Sequence, residues 1–78
     1  MARVRSLDAG HQSVAVHPTE VDCFYQIVER SDGSRLLHLT TFGSDGRETH
    51  PKSSQSLQLD ADIALQLVDV IHRTFSGA

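Results

Sequence analysis

The residues of this 78-residue chain best equipped for chemistry are five histidines and one cysteine. His11, His17, His38, His50 and His72 could ligate a metal through imidazole nitrogens, but such sites need ligands at short spacings, such as two histidines one helical turn apart. No two of these histidines are four residues apart, and none lies at a ligand spacing from Cys23, so exposed or capping roles and no metal are expected. Cys23 falls within an apolar and aromatic run, where a thiol acts as a small hydrophobe more often than as a nucleophile. No Ser-His-Asp or paired-carboxylate pattern stands out. Gly43-Ser44-Asp45-Gly46 lacks the Lys-Ser/Thr and helix start of a phosphate loop and reads as a turn. The chain is therefore expected to have no catalytic residue and no cofactor.

The second group able to do chemistry is basic and aromatic. Arg30, Arg35, Arg47 and Lys52, together with Tyr25 and His38, form a candidate site for an anion or for nucleic acid, with Phe24 and Phe42 nearby in the same segment. Single strands are held by aromatic faces that stack on bases within a basic groove. Charge weighs against this reading. Residues 1–20 sum to zero, 21–52 to −1 and 53–78 to −2, which gives the net −3 and no basic stripe. The plainer alternative is that the aromatics form core and the arginines are solvated.

Positioning these residues falls to a few short elements. At 8.6 kDa, with 38% of residues apolar, the chain is one small domain whose core is marginal without a partner. Residues 1–12 have no clean period and read as a flexible leader, with the domain at 13–78. Ser13-Val14-Ala15-Val16-His17 suggests a short strand ended by Pro18. Residues 21–42 read as a β-hairpin, because two runs rich in branched and aromatic residues flank Ser31-Asp32-Gly33-Ser34. With Asp32 and Gly33 as a two-residue turn, Arg30 faces Arg35, and Tyr25 and His38 share a side of the sheet. Two opposed arginines repel, which an anion would relieve.

Residues 53–59 alternate and read as a strand, and Asp60 is a suitable N-cap for a helix over about 61–75. Ile63, Ala64, Leu67, Val68, Val70, Ile71 and Phe75 share an arc of about 160°. That arc is wider than one sheet contact needs, and Leu65 extends it. Leu65, Val68, Phe75 and, on the sheet, Phe42 are therefore candidate residues for a dimer or partner interface. The expected fold is α+β: a three- to four-stranded antiparallel sheet packed by one C-terminal amphipathic helix.

This order of strands and terminal helix, with Pro51-Lys52 leading into Ser56-Leu57-Gln58-Leu59-Asp60 and the helix, resembles the small single-strand DNA-binding domains of the positive-cofactor-four type transcriptional coactivators. The resemblance covers roughly residues 21–75. It implies a curved four-stranded antiparallel sheet, dimerisation largely through the C-terminal helix and single-stranded nucleic acid lying on the sheet. The chain has no tryptophan, no glycine directly after Pro51-Lys52 and an acidic balance, so the resemblance carries dimerisation further than DNA binding.

The sequence thus describes a small binding module rather than an enzyme, expected as a homodimer with single-stranded nucleic acid as its ligand. The alternative is a protein-protein interaction module with an unidentified protein partner. With one cysteine, no signal-peptide pattern at the start and no apolar run of about 18–20 residues, a cytoplasmic location without membrane contact is expected.

Overall fold

A computed structural model of the chain describes residues 1–43 and 53–77. Its elements are β1 (Ala2–Arg3), β2 (Asp22–Glu29), β3 (Arg35–Phe42), β4 (Ser53–Leu59) and α1 (Ala61–Phe75). They form one four-stranded sheet in the order β1-β4-β3-β2 with a single C-terminal helix, an α+β architecture. The sheet is mixed rather than purely antiparallel. β2, β3 and β4 run as an antiparallel meander, but β1 pairs with β4 in parallel, Ala2 beside Leu57 and Arg3 beside Gln58. The Val4 N–H then donates to the Gln58 carbonyl at 2.8 Å. A two-residue strand carries no periodicity of its own, and its partner lies more than fifty residues away, so residues 1–12 looked featureless. Val14-Ala15-Val16, expected as a strand, lies outside the sheet, with Val14 and Val16 exposed. Three apolar residues are too few to impose pairing against the entropy of ordering them.

The hairpin forms where expected, but in a register shifted by one. Within the turn Gly33 alone takes a positive φ, +89°, and among the described residues only glycines do, which excludes the two-residue turn that needs positive φ at both Asp32 and Gly33. The loop has three residues, Ser31-Asp32-Gly33. The Gly33 N–H donates to the Arg30 carbonyl at 3.0 Å and the Arg30 N–H to the Ser34 carbonyl at 2.8 Å. Asp32 stabilises it by accepting the Ser34 N–H at 2.9 Å and the Ser34 hydroxyl at 2.6 Å, and these bonds hold its carboxyl below the ordinary aspartate range. Glu29 therefore faces Arg35, Ile27 faces Leu37 and Tyr25 faces Leu39. Arg35 meets Glu29 in an exposed ion pair at 3.7 Å, so the opposed arginines of the two-residue reading do not occur.

The helix starts and stops on local chemistry. Asp60 Oδ1 accepts the Ile63 N–H at 2.9 Å, Asp62 lies in the first turn, and His72 and Arg73 in the last complement the helix dipole. Gly77 follows the Ser76 cap at φ +79°. Only three hydrophobic side chains are buried among the described residues: Leu36 at the start of β3, Leu59 at the end of β4 and Ile63 in the first turn of α1. The core thus sits at the junction of one sheet end with the helix. From Val68 to Gly77 every helix residue is exposed. The radius of gyration, 15.1 Å, exceeds the roughly 11.5 Å of a compact domain of this length.

Candidate nucleic-acid interface

Opposed residues of an antiparallel pair share a face, and the face alternates along each strand, so the register sorts the sheet into two sides. One side is apolar: Tyr25, Leu39 and Leu57 form one row across three strands, and Ile27, Leu37 and Leu59 form the next. The other side carries a polar row that crosses all four strands, Gln26, His38, Gln58 and Arg3 in order. Beside it lies the row of Phe24, Thr40 and Ser56.

The polar row is tied at its centre. With the Gln58 amide nitrogen donating to His38 Nδ1 at 3.1 Å, Nε2–H of His38 is left to donate to Thr40 Oγ1 at 2.5 Å. The imidazole is thereby fixed in one neutral tautomer, and the ring stands half-buried in a defined orientation. Phe24 is 60% exposed and meets Phe42 edge to face, with ring centroids 5.3 Å apart and planes at 72°. That contact steadies Phe24 while leaving ring surface available for stacking. Phe42 lies next to a break in the β3–β4 register, where Thr41 pairs with Gln55 but Phe42 with Ser53. Among the described strand residues, the charges on this side are Arg3 at one edge and Asp22, opposite Phe42, at the other.

The structure separates the residues that the sequence grouped. His38 lies on the polar side, whereas Tyr25 and Arg35 lie on the apolar side and Arg30 lies at the turn. Tyr25 and His38 do not share a face, because the three-residue loop shifts the register by one and exchanges the sides of one strand relative to the other. Arg47 and Lys52 lie outside the described residues. Of the interface candidates, Leu65, Val68 and Phe75 are exposed on the helix, while Phe42 lies on the polar side of the sheet beside Phe24. Sequence reasoning missed Gln26, Gln58 and Arg3. The correct loop length would have put Gln26 opposite His38, but Gln58 depends on the separate pairing of β3 with β4, and nothing local marks Arg3. Cys23 is exposed, contrary to a core role, since β2 is the outer strand and none of the described residues covers its Tyr25 side.

Among the described residues no group of three or more His, Cys, Asp or Glu could hold a metal ion, and no helix is long and apolar enough to cross a membrane. No family model matches the chain, and no curated protein or solved structure matches it at a significant level.

Proposed function

We propose that this chain is a binding module that works as a homodimer and receives single-stranded nucleic acid on the polar side of its sheet. The observation that carries the reading is the row Gln26, His38, Gln58 and Arg3 running beside the exposed ring of Phe24. An open sheet face of this kind offers a ring on which any base can stack, amide groups that can meet base edges, and a guanidinium for a phosphate. The homodimer is supported by the apolar helix surface left in water beyond Leu67.

With one arginine in the row, stacking and hydrogen bonding supply more of the affinity than release of counterions. Each phosphate neutralised on a single strand contributes about 0.7 to the salt slope, so the dependence is expected to be shallow. Fluorescence anisotropy of labelled single-stranded DNA and RNA, titrated at two salt concentrations, tests the reading. Saturable binding that falls modestly with salt and is lost in Phe24→Ala is expected. Absence of binding at the lower salt overturns it and leaves the protein-interaction module, whose partner would cover the exposed Ile27 and Tyr25.

A further inference from the structure

The exposed part of α1 is patterned. Ala61, Ala64, Val68, Ile71 and Phe75 follow one another at spacings of three, four, three and four, which places them on one stripe of the helix, as in the seam of a coiled coil. Val68 and Ile71 are each 46% exposed and Phe75 is 79% exposed. Leu7 borders the opposite flank, near Gln66, Asp69 and Arg73, so this stripe is open. Its side chains also grow along the helix, from alanine at the first turn to phenylalanine at the last.

A graded stripe pairs badly with itself in parallel, since Phe75 would meet Phe75 while the alanines left a gap. Run antiparallel about a two-fold axis at Val68, the same stripe matches large to small. Phe75 lies seven residues from Val68 on one side and Ala61 seven on the other, each about 10.5 Å along the axis. At the Ala61 end the structure has a hollow of about 210 Å³, open to solvent and bordered by Ile27, Leu37, Leu59, Ala61 and Ala64 together with the charged Arg35 and Asp60. That is smaller than the roughly 300–1,000 Å³ of a small-molecule site, and its walls are mostly apolar with two charged residues among them, so it suits one large apolar side chain.

We infer that the occupant of this face is a second copy of the chain, bound with the two α1 helices antiparallel across Val68 and with Phe75 of each copy filling the hollow beside Ala61 and Ala64 of the other. This rests on the homodimer proposed above and specifies its geometry. The arrangement also brings the acidic first turn, Asp60 and Asp62, level with the basic last turn, His72 and Arg73, of the other helix, and opposes the two helix dipoles. The area is adequate. The chain exposes 7231 Å², against roughly 4,700 Å² for a folded protein of its mass. Part of the excess is the exposed segment 8–20, and part is the apolar surface of helix and sheet, where a standard interface takes about 800 Å² from each partner.

The test is disulfide trapping in full-length chains carrying Cys23→Ser, with the mass in solution fixed by light scattering. Val68→Cys is expected to cross-link to itself, because the axis passes through it. Ala61→Cys mixed with Phe75→Cys is expected to give a mixed dimer. Ala61→Cys alone is expected to give none, because its two copies lie about 21 Å apart along the helices, far beyond disulfide reach. Phe75→Ala, at a position too exposed to be needed for folding of one chain, should weaken self-association by on the order of a hundred-fold, since the knob is lost twice. A dimer in which Ala61→Cys cross-links to itself overturns the antiparallel pairing and leaves the homodimer standing. A monomer at all concentrations overturns both.

Discussion

The two sides of the sheet are built from the same three long strands and differ in almost every physical respect. On the side of Ile27, Leu37 and Leu59 the side chains are mostly apolar, with Tyr25 among them and the Glu29–Arg35 pair at the turn end, and the hollow there continues onto the first turn of the helix. Little there can hydrogen-bond, so its chemistry is burial, worth roughly 25 cal/mol per Å² of apolar surface removed from water. On the side of Gln26, His38 and Gln58, the His38 ring is already hydrogen-bonded to Gln58 and Thr40 and gains little from further burial. The difference teaches that a sheet too small to keep a dry core within one chain can assign its two sides to different tasks. On the function proposed above, one side supplies stability through association and the other stays open to a ligand.

The sharpest way to break this comparison is to move an effect to the wrong side. Ile63→Ala removes one of the three buried hydrophobic side chains at the junction and is expected to cost about 2–4 kcal/mol in urea unfolding, without a direct effect on nucleic-acid affinity per folded dimer. Phe24→Ala should do the reverse, costing about 1–3 kcal/mol of binding per stacked base and leaving the dimer mass unchanged. If Phe24→Ala lowers stability as much as Ile63→Ala does, the two sides are not divided in this way. Asp60→Ala removes the bond to the Ile63 N–H and should lower stability by about 1 kcal/mol, read as a lower urea midpoint at constant slope.

The smallest effects lie at the hairpin. Glu29→Ala should change stability by less than about 0.5 kcal/mol, because its partner Arg35 is as exposed as it is and water screens the pair. Asp32 has its folded-state carboxyl pulled down, first by the Ser34 hydroxyl and then by the Ser34 N–H. Its contribution is therefore present above the ordinary aspartate range and fades as pH falls through the lowered folded value. Comparing the chain with Asp32→Ala across acid pH should show a small difference at neutrality that closes on acidification.

How much of this was legible follows from the range of each signal. The β4 strand and the helix over 61–75 were legible because alternation, an aspartate cap and a 3.6-residue period are local, and the structure places both elements at those residues. The hairpin was legible as an element but not in register, since Asp-Gly is compatible with both two- and three-residue loops. The φ of Asp32 decides between them, and that is a property of the fold. The candidate site suffered most from this single residue of ambiguity. A shift of one exchanges the sides of β2 relative to β3, so Tyr25 was joined to His38 while Gln26, its actual neighbour, was passed over. Arg3 was beyond reach for another reason, because a parallel pairing between residues 3 and 58 leaves no trace in either neighbourhood.

That parallel pairing also sets an order of events. The loop joining β2 to β3 closes over three residues, a microsecond event, whereas Ala2 must find Leu57 across the whole meander and has only two residues of ladder, extended by the Val4 N–H, to hold it there. β1 therefore forms last and opens first, and the amide proton of Val4 should exchange with solvent long before those in the centre of β3. Each opening exposes the outer edge of β4 and swings Arg3 away from Gln58, so the guanidinium end of the polar row comes and goes on the timescale of local fraying while His38 and Gln26 stay in place.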